Sequence, residues 1–507
     1  MSAKREELLM TQVLIAGAGP TGLVLALRLA RHGISFRIID QNKGPGESSR
    51  ALVVHARTLE FYRQLGFADE LVELGIKMKS IHLLENGQEK AELELADLGA
   101  GLSPFPFILS LAQDVHEQFL VKKLEQQGFE VEWETELISF TDDGENVQAV
   151  IRKHGKEESA RFDYICGCDG AHSTVRKALN FDFPGGTYEE LFYVADVKAA
   201  DDGVQKDGFY MFIDKGGFCA FIPVRTTGMR RVVGIVPKEM RISQDLSFEN
   251  LRPIVEKQVG LSILDVNWFS TYRVHHRVSE HFRKGRAFIA GDAGHIHSPA
   301  GGQGMNTGIG DAVNLSWKLA AVLKGKADPD ILDTYETERI AFARLLVSTT
   351  DRAFQPLVGR GIQSKLIRKV LFPIVIPALL KLSNARKRAF NLLSQTRIHY
   401  RGSKISDGKA GYIHGGDRLP WVKTNSGDNY EPLKSMEWQI HVYGEASQDL
   451  QEFAVAKDVE LVEFEWNSEI AKAGFEQDAV YWVRPDGHVG FAFGKGRDQE
   501  VRDFILK

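Results

Sequence analysis

One short stretch constrains this chain more than any other. TQVLIAGAG at 11–19 reads as a buried strand entering a glycine-rich turn, PTGLVLALRLARHG at 20–33 as a helix, and ISFRIID at 34–40 as a second strand. Within the turn Gly17, Ala18, Gly19, Pro20, Thr21 and Gly22 spell G-x-G-x-x-G. The first glycine permits the tight turn, the second lets a pyrophosphate approach the backbone, and the third lets helix and strand pack closely. Pro20 suits the first helical position and Gly33 the position just past the end. Free N–H groups at the helix start, together worth roughly half a positive charge, favour an anion there. Asp40 closes the second strand, where an acid can take a ribose hydroxyl. Glycine-rich turns are common, but this strand–turn–helix–strand setting with its acid reads as a dinucleotide-binding unit. By itself the unit leaves FAD and NAD both open.

Two further stretches decide between them. CDGAHSTVRKAL at 168–179 follows the strand-like FDYIC, and AGDAGHIHSPAGGQGMNTGIGDAVNLSWKLA at 290–320 follows AFIA. In this order and spacing the three stretches resemble the class A FAD-dependent monooxygenases, the aromatic hydroxylase family, over essentially the whole chain. The first motif is shared by many nucleotide enzymes; the other two are far more specific. The resemblance implies FAD as cofactor, with Gly17, Gly19, Pro20, Thr21, Gly22 and Asp40 as its ADP site. It implies that Arg50, opening RALVVHARTLEFYRQLG, faces the phosphate and ribityl region, and that Gln113 contacts the same cofactor. Asp169 and Gly170 would serve both FAD and the nicotinamide donor. Asp292 is expected on the ribityl chain, and Pro299, Gly304, Met305 and Asn306 beside the isoalloxazine ring. Independently of the resemblance, glycines at 301, 302 and 304 would let main chain approach a flat ring. The helix that follows would then stabilise the anionic edge of reduced flavin with its positive end. An Asp292 that only caps a turn and an Arg50 in a surface ion pair are the plainer alternatives.

The implied fold class is α/β: a Rossmann-like FAD-binding domain with an inserted mixed or antiparallel substrate-binding sheet, a helical segment and a C-terminal thioredoxin-like domain. The expected boundaries are 1–184 for the first part of the FAD-binding domain, with a short substrate-domain excursion near 76–105, and 185–277 for the substrate-binding sheet. The FAD-binding domain returns at 278–345, the helical segment covers 346–404, and the last domain covers 405–507. Helical patterns at 57–66 and 113–128 and strand-like runs FEVEW, NVQAVI and FDYIC fit the first part. Between about 185 and 275, LFYVADV, GFYMFID, GFCAFIPV and RRVVGIVP follow one another without helices, which argues for an antiparallel sheet. Tyr193, Tyr210, Phe212, Phe218 and Phe221 are candidates to line an apolar pocket there, although ordinary sheet packing is the simpler account of each. Arg225, His275 and His276 are candidate polar contacts. The sequence identifies no catalytic acid or base. The tail, with GDRLPW and AVYWVRPDGHVGF, resembles the thioredoxin-like appendage of some of these hydroxylases. It has no cysteine for dithiol chemistry, so an interaction or structural role is expected.

Composition removes other classes. A net charge of -5 on 507 residues supplies no general field for nucleic acid or an anionic membrane. Three cysteines fit a reducing cytoplasm better than a secreted disulfide framework. No run approaches the ~20 apolar residues of a transmembrane helix. VLFPIVIPALLKL at 370–382 reads as a packed helical segment, with contact to lipid or a greasy substrate as the alternative. His295 and His297 form H-x-H without an acidic or cysteine cluster nearby in sequence, so local packing or hydrogen bonding is preferred to a metal, and none is expected. Cys166 and Cys168 share one face of a strand and read as core.

The expected function is hydroxylation of a phenolic or polycyclic aromatic small molecule through a flavin C4a-hydroperoxide. NADPH or NADH would be a transient donor, O2 the second substrate, and the enzyme a cytoplasmic monomer or homodimer. The absence of a second G-x-G-x-x-G after a strand agrees with a donor that has no Rossmann domain of its own. The alternatives are a flavin dehydrogenase, oxidase or halogenase on the same scaffold, or a flavin-binding partner protein without turnover. The closely spaced tryptophans of halogenases are not found; the nearest counterpart is GGFCAFIP at 216–223.

Overall fold

The computed structural model describes residues 11–500 apart from 47–50, 86–87, 96–97, 201–204, 215–216, 226–227, 242–244, 299, 359–381, 426 and 498–499. Arg50, Pro299 and almost all of 370–382 therefore lie outside the described residues.

At the centre, Phe36–Ile39, Val13–Ala16, Tyr164–Gly167 and Ala287–Ile289 run parallel in that order, and Arg283–Lys284 turns back against the last. Val13–Ala16, Tyr164–Gly167 and Ala287–Ile289 are buried on both faces because both faces are covered, as parallel sheets require. The helix Pro20–Arg31 is buried along its length from Gly22 to Leu29 and packs on the helix Gly304–Leu323. Each Leu or Val so buried contributes about 1.5–3 kcal/mol relative to exposure. The helix ends at His32, and Gly33 takes φ +67°, a left-handed conformation that glycine adopts without strain. FEVEW does not form a strand. Only Glu132 forms a bridge, to Ile39: its amide donates to Ile38 at 2.9 Å, its carbonyl accepts from the Asp40 amide at 3.0 Å, and its side chain is held by Arg37 at 2.6 Å. Thr135–Asp142, Val147–Lys153 and Lys156–Phe162 form a separate antiparallel sheet.

A second sheet of eight strands stands beside the first. Its order is His295–Ile296, Ile263–Val278, Gly185–Ala199, Arg230–Ile235, Gly217–Pro223, Gly208–Asp214, Ser80–Glu85 and Gln88–Glu94. All neighbours are antiparallel except Gly208–Asp214 with Ser80–Glu85. The helix Phe248–Val259 covers one face of it, closing a core of Tyr193, Tyr210, Phe212, Phe221, Val232 and their neighbours.

The chain after 400 forms a third unit. Its sheet runs Ile413–His414, Asp407–Ala410, Val489–Phe493, Val480–Val483, Gln439–Tyr443 and Glu460–Phe464. Pairing into this unit already begins at His399, opposite Asp417, and Tyr400, whose amide donates to Gly416. No helix among the described residues is long and apolar enough to cross a membrane.

Candidate active site

The three sequence motifs meet at the carboxyl ends of three adjacent parallel strands, Val13–Ala16, Tyr164–Gly167 and Ala287–Ile289. Gly17 has φ +103°, and a Cβ there would lie 2.3 Å from the Cys168 carbonyl oxygen. A Cβ on Gly22 would lie 2.0 Å from the Gly17 carbonyl oxygen. Only glycine fits either place. Gly19 is different: nothing lies within 4 Å of its would-be Cβ, and it caps the helix that Pro20 starts. Two glycines thus close the turn and the third opens it, which is the cradle a pyrophosphate needs. Asp40 accepts from the amides of Ala18 at 2.8 Å and Asn42 at 2.9 Å, so it holds the turn while each oxygen keeps a lone pair for a hydroxyl. The Thr21 hydroxyl reaches across to both Gly291 and Gly308, where added side chains would meet it at 2.6 and 2.4 Å.

Asp169 accepts from the amides of Thr174 and Val175 at 2.7 and 3.2 Å, the first two of the short helix Thr174–Ala178, which Ser173 caps. Burial pushes its carboxyl up. Gly170 follows at φ +74°. The turn Gly291–Ala293 begins with Gly291 at φ +63° and presents Asp292 on its exposed side. The Gly291 amide donates to Asp311 Oδ2 at 2.9 Å. His295 Nε2 meets the same oxygen at 2.6 Å, and Arg339 Nε donates to Oδ1 at 2.6 Å. Burial would raise the Asp311 carboxyl, but Arg339 and His295 outweigh it and hold it below the usual range. The H-x-H pair is thus divided. His295 serves Asp311, whereas His297 Nδ1 lies 2.8 Å from the Ser298 carbonyl, and burial lowers its pKa to about 4.

The glycine-rich loop is tied down by a residue whose role the sequence did not signal. Asn306 Oδ1 accepts from the His55 amide at 2.9 Å and Thr58 Oγ1 at 2.8 Å. Its Nδ2 donates to the carbonyls of Val53 and Gly302, both at 2.9 Å. Two donors and two acceptors are all in use, so the side chain fastens the loop. His55 Nε2 adds a contact of 2.8 Å to the Gly301 carbonyl. Gly304 opens the long helix, and a Cβ there would meet only the His297 ring, at 3.7 Å. Met305 is half-buried against the main core. Gln113 opens the helix Gln113–Gln126 beside the segment that carries Arg50: its amide donates to Ala51, and its side chain donates to Glu117 at 2.7 Å.

The eight-stranded sheet corrects the choice of pocket candidates. Tyr193, Tyr210, Phe212 and Phe221 all belong to the core under the helix Phe248–Val259 and are ordinary sheet packing. The side chain of Phe218 is outside the described residues. Alternate residues point to the other face, where Phe192, Phe209, Ala220, Ile222, Val233 and Tyr272 cluster. Phe209 and Ile222 also pack on the core of the nucleotide-binding body, so this is the face turned toward the three motifs. Arg225 donates to the Gly75 carbonyl, His275 meets Thr187, and His276 lies against Tyr188.

One pair on this inner face was missed. Arg231 donates twice to Asp196, each bond 2.8 Å, and Trp268 Nε1 donates to the same carboxylate at 2.9 Å. Arg231 also reaches the Ala51 carbonyl at 3.4 Å. The available signal was a lone charge at an apolar position of each of two alternating strands, YVADV and RRVVGI.

Comparison with known proteins agrees with this geometry. The profile of the FAD binding domain family matches residues 10–350. The chain is 35% identical to a 6-methylpretetramide 4-monooxygenase of Streptomyces rimosus, over 80% of this chain and 73% of that one. It is 30% identical to a flavin-dependent monooxygenase of Mycobacteroides abscessus, over 96% and 98%. Among solved structures, the anhydrotetracycline hydroxylase OxyS of Streptomyces rimosus superposes with a TM-score of 0.77 at 28% identity, covering 97% of each chain. With the pyrophosphate cradle, the Asp-Gly turn and the glycine-rich loop gathered at the carboxyl ends of adjacent parallel strands, the chain belongs to the class A FAD-dependent aromatic monooxygenases, enzymes that use NADH or NADPH and O2.

Proposed function

We propose that FAD lies with its diphosphate on the Gly17–Gly22 turn, its adenosine ribose at Asp40, its ribityl chain near Asp292, Gln113 and Arg50, and its ring beside Pro299, Gly304, Met305 and Asn306. The substrate is a phenolic or polycyclic aromatic ring held between that site and the inner face of the eight-stranded sheet. The observation that carries this reading is the inner face itself. Phe192, Phe209, Ile222, Val233 and Tyr272 form an apolar roof whose charged residues Arg231 and Asp196 neutralise each other. Such a roof suits a flat, uncharged ring and excludes water. Bound FAD would accept hydride from the nicotinamide donor and activate oxygen. The chain's own contribution is positional. The helix from Gly304 directs its positive end into the site, the glycines admit a flat ring, and the roof keeps the pocket dry. Burial keeps His55 and His297 neutral at physiological pH, so neither adds charge beside the ring.

The order Glu460–Phe464, Gln439–Tyr443, Val480–Val483, Val489–Phe493, parallel in the first pair and antiparallel in the next two, supports reading the C-terminal unit as thioredoxin-like. It contains no cysteine for dithiol chemistry, and its role is an interaction or a structural one.

The test is oxidation of NADH and NADPH by the FAD-loaded protein against a panel of phenols and fused-ring phenols. A compound that accelerates oxidation and emerges with one added oxygen supports the reading. Acceleration only by non-aromatic compounds would overturn it.

A further inference from the structure

We propose that the C-terminal unit positions the flavin site: Tyr400 orients Arg339, Arg339 orients Asp311, and Asp311 sets the Gly291–Ala293 turn on which Asp292 stands. The proposal rests on the assignment of that turn to the flavin.

The relay is continuous in hydrogen bonds. Arg339 uses all three of its nitrogens: Nε on Asp311 at 2.6 Å, one terminal nitrogen on Tyr400 Oη at 2.8 Å, and the other on the Thr307 carbonyl at 3.0 Å. A guanidinium is planar and rigid, so three partners fix its plane. Two of them, Asp311 and Thr307, lie on the helix that begins at Gly304. The third is the residue at which the chain enters the C-terminal unit. Asp311 in turn leaves its second oxygen to the Gly291 amide and His295.

Tyr400 is itself held by that unit. Its ring lies 4.5 Å from the His488 ring, and the Arg484 guanidinium stands over it at 5.2 Å. Arg484 also donates to Glu338, the residue before Arg339, at 2.8 and 2.9 Å, and to Asp486 at 2.7 Å. All these side chains are buried. A second attachment reaches the glycine-rich loop. Arg57, two residues past His55, whose ring holds Gly301, donates from its side chain to the Asp486 carbonyl at 2.7 Å. Gln395, just before the unit, donates to Gln303 Oε1 and Thr307 Oγ1, both at 2.9 Å.

Cost argues for a positional role. Removing a charge from water costs several kcal/mol per ion, and apolar residues of the same volume would fill an interface as stably. Apolar packing, however, would not fix the plane of one guanidinium against one carboxylate beside the flavin turn. A domain without redox cysteines thus has work to do that needs no thiol.

The test uses full-length protein and three variants. Tyr400→Phe keeps the ring on His488 and removes only the oxygen that receives Arg339. Ile470→Ala empties part of the C-terminal core without touching the relay. Asp292→Ala reports on the turn itself. The readouts are the FAD dissociation constant, the flavin reduction potential and the melting temperature of the apoprotein. Tyr400→Phe should weaken FAD binding about 10-fold and shift the potential; it also leaves one Arg339 N–H buried without its partner, so the apoprotein melting temperature should fall as well, by no more than in Ile470→Ala. Ile470→Ala should lower the melting temperature by several degrees, with FAD affinity within about 2-fold of the parent. The proposal is overturned if Tyr400→Phe matches the parent in affinity and potential while Asp292→Ala weakens FAD. It is equally overturned if Ile470→Ala moves both flavin readouts as far as Tyr400→Phe does. Unchanged affinity in Asp292→Ala would instead overturn the assignment of the turn, and the proposal with it.

Discussion

Asp196 and Arg231 stand directly opposite each other on neighbouring antiparallel strands, and two hydrogen bonds of 2.8 Å join their side chains on the face turned toward the flavin site. Both are buried, and the arginine also touches Ala51, just past the position of Arg50. A bidentate pair with a third bond from Trp268 keeps the carboxylate satisfied in an otherwise apolar roof.

Breaking the pair from one side should be costly. Arg231→Met leaves Asp196 buried with only Trp268, and the expected loss of stability is about 3–5 kcal/mol. The double variant Asp196→Leu/Arg231→Met should recover at least half of that loss, because no charge remains unpaired. Urea unfolding of the three proteins checks both statements. A double variant as unstable as Arg231→Met would mean that packing, not charge, sets the cost.

Acid should destabilise this protein before its carboxylates titrate. Burial lowers His32, His116 and His441 to about 3, and His55, His297 and His488 to about 4. An unfolded chain takes up the proton near pH 6.5. From there down to about pH 4 the unfolded state binds protons that the folded state refuses, so stability is present above pH 6.5 and falls with pH. His441→Phe removes one such group from the C-terminal core. Between pH 7 and pH 5 it should lose about 2 kcal/mol less unfolding free energy than the parent. Parallel losses in the two proteins would show that His441 is protonated when folded.

Asp292→Ala should weaken FAD retention by about 10-fold, as loss of one hydrogen-bonding partner of a bound hydroxyl typically does. His297→Ala should leave it within about 2-fold, since that ring is bonded to its own main chain. His295→Ala is expected to resemble Asp292→Ala, because His295 shares Asp311 with the Gly291 amide. Equilibrium titration of apoprotein with FAD measures all three. Strong FAD loss in His297→Ala alone would reverse the assignment.

What the sequence made legible was local. The roles of Gly17, Gly19 and Gly22 follow from a turn of six residues, and each takes the place that the turn requires. Strand alternation separated the residues of 185–275 into two sets, but nothing local says which set a later helix will cover. The helix Phe248–Val259 covered the set with Tyr193, Tyr210, Phe212 and Phe221, leaving Phe192, Phe209, Ile222 and Val233 for the inner face. The pairs that hold the site together were hidden by distance along the chain. Asp311 with Arg339 and Glu338 with Arg484 come from separate elements, and a buried charge looks like a surface charge until its partner arrives. Asn306 stood inside a recognised motif, yet its four hydrogen bonds go to protein, a division of labour that needs coordinates to see.

The last prediction concerns order of events: an aromatic substrate should act as a trigger as well as a reactant. The sequence carries no second G-x-G-x-x-G after a strand, so the nicotinamide donor has no Rossmann cradle of its own and must reach the flavin from an open side. Hydroxylation needs the opposite, a closed and dry pocket. The apolar roof of Phe192, Ile222, Val233 and Tyr272 suits such a pocket once an aromatic ring is bound beneath it. A flat ring is expected to have an accessible and an enclosed placement at the helix start, where a Cβ on Gly304 would meet only the His297 ring, at 3.7 Å. A substrate that favours the accessible placement speeds reduction by differential binding to the two states. A true substrate should therefore raise the anaerobic rate of flavin reduction at least ~10-fold, equivalent to ~1.4 kcal/mol off the barrier. Stopped-flow traces equally fast with and without a confirmed substrate would refute the trigger. Labelled O2 supplies the independent check, since one labelled atom must appear in the product, and a new oxygen drawn from water would refute the monooxygenase chemistry itself.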